Sequence, residues 1–223
     1  MQSKSSESVL SMKYWEIPKL WPGSTVTLLG GGPSLVDSLM GVKLNLSKVI
    51  AINNAFELGS WIDMCFFGDA RWYWWNEERF KVFPGLKVTV NRNPKPGESV
   101  ENVSGLKIVR SHNSKGLCTE ANSIYFNSSS GAAAVNLAYQ LGAKRIILFG
   151  YDMRYIDGKS NWKPHPIPRS TGKPFTNFLT PFRSIAKDAK ALGLEIWNAT
   201  PGSALTVFPM MAKEEVNDCL GRI

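Results

Sequence analysis

Three glycines in a row, Gly30, Gly31 and Gly32, then Pro33 and Ser34, follow an apolar, β-branched run from Thr25 to Leu29. Glycine lets a backbone take φ > 0 and lets a ligand approach it closely. Proline suits a first helical turn, and the free N–H groups of such a turn attract an anion. The chemistry on offer is a cradle for a phosphate or a nucleotide; a glycine-rich turn without a ligand is the plainer alternative. The spacing is not that of a dinucleotide fingerprint, because Leu35 stands where the last glycine of G-x-G-x-x-G belongs. It is not a Walker loop either, since no Gly-Lys-Ser/Thr follows. Ser129, Ser130 and Gly131 open a later helical segment and form a second candidate anion cradle, or ordinary caps.

The remaining candidates are single residues. Asp69 can hold a ribose hydroxyl or a metal, or deprotonate an acceptor hydroxyl; Asp is equally a strong N-cap. Asn53 and Asn54 can bond a base or ribose, or simply end a strand in a turn. His165, within Trp162-Lys-Pro-His-Pro166, suits general acid–base work near neutral pH, or is an inert loop histidine. Lys163, Arg169, Tyr151 and Tyr155 can offset a phosphate in the same region. Trp72 and Trp74 in Arg71-Trp-Tyr-Trp-Trp75, with Trp162, offer stacking surfaces. Aromatic residues more often fill cores. No H-E-x-x-H or G-x-S-x-G occurs.

The elements that must position these residues alternate. Ser24–Leu29, Val49–Ile52, Met64–Phe67, Lys87–Val90, Lys107–Val109, Arg145–Phe149 and Leu194–Trp197 read as strands. Several are continuous apolar runs of the kind buried in parallel sheets. Helices are expected at 35–39, 70–80, after Ser128-Ser-Ser-Gly131 as far as Gly142, and at 181–192 and 212–220; in the third, Ala134, Leu137, Ala138 and Leu141 follow i, i+3, i+4, i+7. Residues 91–105 and 153–180 read as long loops, the second lid-like, and 110–127 are undetermined. The expected class is α/β: a Rossmann-like open, mostly parallel sheet with helices on both faces. Residues 1–23 read as a flexible tail and lead-in, and 24–223 as one domain. Ligands bind such sheets outside the carboxyl ends of the strands. Gly30–Ser34, Asn53-Asn54, Gly68-Asp69, Gly150–Asp152 and Asn198 all fall at those ends.

Composition sets the outer limits. With 223 residues, 43% hydrophobic and 20% charged, the chain can bury a full core without staples. Three widely spaced cysteines and no C-x-x-C imply a reducing, cytoplasmic setting without a disulfide framework or zinc knuckle. No apolar run approaches the ~20 residues of a membrane span, and the polar first residues lack a secretory signal. A net charge of +8 attracts polyanions, among them nucleic acid, anionic glycolipid or a nucleotide phosphate.

Leu29-Gly-Gly-Gly-Pro-Ser-Leu35, Ser129-Ser-Gly131 and Leu141-Gly-Ala-Lys-Arg-Ile-Ile-Leu-Phe-Gly-Tyr-Asp152 together resemble a family. It is that of the bacterial lipooligosaccharide sialyltransferases and the motility-associated flagellin glycosyltransferases. More distantly they resemble archaeal hydroxymethylpterin diphosphokinases. Ala51-Ile-Asn-Asn54, Gly68-Asp-Ala-Arg-Trp72, the Trp162…His165 loop and Asn198-Ala-Thr-Pro-Gly-Ser-Ala-Leu-Thr-Val-Phe-Pro209 look like phage and prophage proteins of unassigned function, which implies a host cytoplasm if the chain is phage-encoded. The resemblance implies a CMP-sugar donor, no tightly bound cofactor, and transfer to a hydroxyl of a surface glycan or modified DNA. It puts Gly30–Ser34, Asn53, Ser130 and Gly131 on the nucleotide, Tyr155 on its phosphate and Trp162 where a second such tyrosine falls. His165 lies in the loop that holds the family's base, and Gly31 stands where an asparagine is usual. A non-catalytic nucleotide-binding or virion-associated module is the alternative. A further one is pyrophosphate transfer to a pterin-like alcohol, with a divalent metal on Asp69 and Asp152.

Overall fold

In the computed structural model, which describes residues 14–92, 94–164 and 174–220, the apolar runs form the buried middle of one sheet. All five residues of β1 (Thr25–Leu29) are buried. β1 pairs in parallel with β2 (Lys48–Ile52) on one side and β8 (Arg145–Phe149) on the other. Beyond β2 lie β3 (Met64–Asp69), β4 (Leu86–Arg92) and β5 (Leu106–Ile108); beyond β8 lies β9 (Glu195–Asn198). The order is β5-β4-β3-β2-β1-β8-β9, and every pairing is parallel. The chain therefore builds outward from β1 in one direction, then returns to build in the other. That reversal puts a topological switch point between β1 and β8.

Side-chain alternation divides the sheet's apolar residues between two cores. Leu28, Ile50, Phe66 and Leu148 point to one side, where α3 (Ser130–Gln140) and α4 (Pro174–Leu192) cover them. Leu29, Ala51, Phe67 and Phe149 point to the other, under α1 (Leu35–Leu39), α2 (Ala70–Lys81) and α5 (Lys213–Leu220). Helices thus lie on both faces, and the expected class holds. The lead-in is tied down by Trp15 N–H, which donates to Ile108 O at 2.7 Å, and by Trp21, buried in the first core.

Three local readings change. The expected loop at 153–180 gives way to α4, which starts at Pro174 rather than Pro181 and carries Pro181 inside it. Either proline is compatible with a first helical turn, since its missing N–H has no partner there anyway. The undetermined stretch 110–127 holds β6 (Arg110–His112) and β7 (Ser123–Tyr125), paired in a separate two-stranded sheet. β3 and β4 each run two residues further than expected, to Asp69 and to Arg92. Among the described residues no helix is long and apolar enough to cross a membrane.

Candidate functional site

A cleft of about 440 Å³ opens over the carboxyl ends of the strands, at the switch point. Its floor is the turn after β1. Gly30 N–H donates to Phe149 O at 2.7 Å and Gly32 N–H to Gly150 O at 2.8 Å, so the turn is stitched to the exit of β8. None of the three glycines has a positive φ, contrary to the conformational expectation. Their role is close approach. A Cβ on Gly30 would lie 2.5 Å from Gly150 O, and one on Gly32 only 1.8 Å from Asp152 Oδ2. Gly31 differs, for its nearest neighbour would be Asn161 Oδ1 at 3.3 Å.

Asp152 sits on the other lip, only 1% exposed. Its Oδ2 accepts from Ser34 N–H at 3.4 Å, while its Oδ1 is buried and without a partner. Burial pushes this carboxyl above its ordinary value, and Ser34 and Arg154 only partly oppose that. The Ser34 hydroxyl is likewise buried and unpartnered. The adjacent Tyr151 is a structural pin: its hydroxyl donates to Gly131 O at 3.0 Å, and burial raises its pKa.

Opposite, Ser129, Ser130 and Gly131 bring the first turn of α3 to the cleft. Ser129 is the N-cap, its Oγ accepting from Ala132 N–H at 3.2 Å. Helix starts leave N–H groups without intrahelical acceptors, and these favour an anion. Asn53, Ser128 and Met153 line the same space with left-handed backbones, φ 51°, 62° and 52°. Left-handed backbone at non-glycine residues costs on the order of 1 kcal/mol each and concentrates at functional sites.

The outer half of the cleft is aromatic and basic. Trp72, Trp75, Phe126, Phe175 and Phe178 line it together with Arg92. Trp72 is largely core, its Nε1–H donating to Asn54 Oδ1 at 2.7 Å. Asp69 is also at this rim. It caps α2 by accepting from Arg71 N–H at 3.0 Å, and it takes the Arg71 guanidinium through Nε–H at 2.9 and 3.1 Å.

Pro33, Ser34 and Asn54 stand behind the lining residues rather than among them. Trp74 is on the surface, its Nε1–H donating to Glu98 O at 2.6 Å. Trp162 packs against the second core, and its N–H donates to Gly31 O at 3.0 Å, which ties Trp162 to the glycine turn. Lys163 is ion-paired with Glu57, which also binds Arg79. Tyr155 is exposed and meets Phe175 edge-on. His165 and Arg169 lie outside the described residues. Sequence reasoning missed Arg92, Phe126, Ser128, Met153, Ser160, Asn161, Phe175 and Phe178. For Arg92 a signal existed: the strand read at Lys87–Val90 belongs to the same parallel set as those whose ends fall on the rim, so the residues that follow it belong there too.

Fold and cleft together define an open-sheet α/β protein with a cleft at its switch point, where ligands of such sheets bind. Among solved structures it is similar to the sialyltransferase CstII from Campylobacter jejuni, solved in complex with the substrate analogue cytidine-5'-monophosphate. The TM-score is 0.52 at 14% identity, over 86% of this chain and 87% of that one. It is also similar to the MAf glycosyltransferase from Magnetospirillum magneticum AMB-1, with TM-score 0.62 and 12% identity over 91% of this chain and 36% of that one. At these identities the likeness is one of fold. Neither a protein-family signature nor a curated protein sequence matches the chain. Among the described residues no group of three or more His, Cys, Asp or Glu side chains is disposed to hold a metal ion.

Proposed function

We propose that the chain is a glycosyltransferase-like enzyme that binds a nucleotide-activated sugar, a CMP-sugar first of all, and transfers the sugar to an acceptor hydroxyl of a glycan. The observation that carries this reading is Asp152, a buried carboxyl with an unpartnered oxygen in a cleft at the switch point. An unmatched buried acceptor is costly unless a ligand supplies the missing donor. Ribose hydroxyls and a base amino group are such donors. The fold shared with a CMP-bound sialyltransferase points the same way.

In this reading the first turn of α3 and the glycine turn receive the nucleotide, with Asn53 and Asp152 bonding its ribose or base. The sugar extends into the aromatic half. The acceptor oxygen forms its bond to the anomeric carbon as the bond from that carbon to the phosphate oxygen breaks. The nucleotide leaves with that electron pair, and the acceptor proton passes to a base. Asp69 is poorly suited to be that base, because Arg71 and the α2 cap occupy its oxygens. His165 is assigned the role instead.

The test is a thermal-shift and titration screen of CMP, other nucleotides and their sugars. A ligand at a hundredfold over its Kd is expected to add roughly 2.7 kcal/mol of stability. His165→Ala should keep that binding and lose turnover. No shift with any nucleotide or nucleotide sugar would sink the proposal. Binding without turnover in the wild type would leave the non-catalytic module as the better account.

A further inference from the structure

The outer half of the cleft holds a positive charge that the chain does not match. Among the described residues lining the cleft, Arg92 is the sole lysine or arginine. The nearby rim cation, Arg71, is spoken for by the carboxylate of Asp69. Arg92 has no such partner among the described residues. One N–H donates to Asn113 Oδ1 at 2.7 Å, and the guanidinium lies 4.5 Å from the centroid of the Phe126 ring.

That shelf is built, not incidental. A Cβ on Gly68 would lie 2.5 Å from the Phe126 ring, so the bare backbone at the end of β3 is what admits it. Phe126 in turn leads directly into Asn127, Ser128 and the Ser129 cap of α3. Arg92 is therefore held beside the helix start that the proposed function assigns to the nucleotide. A guanidinium carries five N–H donors in a rigid fork suited to carboxylate or phosphate oxygens. A ring beneath it fixes its plane without neutralising it.

Building on the nucleotide-sugar reading, we propose that Arg92 recognises an anionic oxygen group of the substrate, either the phosphate of the nucleotide or the carboxylate of an acidic sugar. Such a contact makes the cleft selective for acidic over neutral ligands. It also explains why one rim arginine is neutralised internally while the other is left open.

The test is calorimetric titration of the wild type and Arg92→Gln with cytidine, CMP and a non-transferable CMP-sialic acid analogue. Loss of a charge-assisted contact predicts weakening of about tenfold or more. A loss shared by CMP and the analogue, with cytidine unchanged, assigns Arg92 to the phosphate. A loss confined to the analogue assigns it to the carboxylate. Wild-type affinities throughout in Arg92→Gln overturn the inference while leaving the nucleotide-sugar reading standing. No binding by the wild type overturns both. If Arg92→Gln does not fold, the Arg92 Nε–H resonance of the wild type, identified by its absence in Arg92→Lys, carries the test. It should move when the analogue saturates the protein, and an unmoved resonance overturns the inference.

Discussion

Asp69 and Asp152 occupy the same rim of the sheet, and the chain treats them in opposite ways. Asp69 is part-exposed, and Arg71 engages it from both backbone and side chain. Asp152 is buried, receives one long bond from Ser34 N–H and keeps an oxygen with no partner. The first carboxylate has its hydrogen bonds supplied locally and does helix-capping work. The second sits where desolvation is nearly complete and compensation is not. Residue type and position on the rim are alike, so the difference lies in what the neighbouring turn provides. Two residues downstream, Asp69 has a guanidinium; Asp152 has Arg154, which is exposed and only partly opposes the effect of burial. An acid that its own chain leaves unmatched is where an external donor has most to contribute.

The severest way to break this contrast is to disturb the contact that buries Asp152. Gly32→Ala would put a methyl group 1.8 Å from Asp152 Oδ2 and 2.6 Å from Gly150 O. The turn and the exit of β8 must separate, so a loss of roughly 3 kcal/mol is expected, with nucleotide binding lost as well. Gly31→Ala, whose nearest neighbour is Asn161 Oδ1 at 3.3 Å, should cost less than about 1 kcal/mol. Urea denaturation of the pair checks this. Equal costs would mean that Gly32 is not pressed against Asp152.

Asp152→Asn tests the carboxyl itself. Burial raises its pKa in the folded state, so the folded protein holds that proton more firmly than the unfolded chain does. Stability from this group is therefore lost as pH rises from the ordinary carboxyl value, about 4, through the raised folded value, and the penalty is complete above it. Asp152→Asn removes the ionisable group. It should be more stable than the wild type at pH 7, lose that advantage near pH 4, and bind CMP about tenfold more weakly. Denaturation curves at the two pH values and one titration decide it. A wild type that gains stability steadily from pH 4 to 7 relative to the variant would reverse the sign and refute the account.

Much of this site was legible, and the illegible parts have physical causes. The strand–glycine–proline–serine signal located the cleft floor, because a β-branched run cannot continue through three glycines. The reason for those glycines was not legible. A glycine kept for φ and one kept for close approach look identical until the neighbour, here Asp152 and Gly150 O, is known. Arg92 was hidden because Asn91 reads as a loop residue. In the fold Asn91 takes φ 48° while staying in β4, and its side chain bonds Ser99 and Val100 of the following loop. The start of α4 was hidden by two prolines, either of which suits a first helical turn. The aromatic cluster after Asp69 divided between core and cleft: Trp72 and Tyr73 are buried, Trp75 lines the cleft and Trp74 faces outward. Helical periodicity puts Trp74 and Trp75 on adjacent positions of one face, but it cannot tell which side of that face meets the opening.

The smallest expected effect falls on Asp69, and it sharpens the contrast most. Asp69→Ala removes the α2 cap, worth about 1 kcal/mol, and a part-exposed ion pair whose contribution is roughly 0–1 kcal/mol. Asp69→Asn keeps a capping oxygen and should lose less. Neither change removes a group assigned to the nucleotide, so CMP affinity should stay within about twofold of the wild type. The freed Arg71 guanidinium adds positive charge to the rim, which works against any loss of an anionic ligand. Turnover separates the roles further. Asp69→Asn retains it if His165 is the base, whereas an Asp69 base would leave the variant inactive at every pH. A tenfold loss of CMP affinity in Asp69→Ala would erase the distinction between the two carboxylates, because a residue with its bonds already made inside the chain has nothing left to give a ligand.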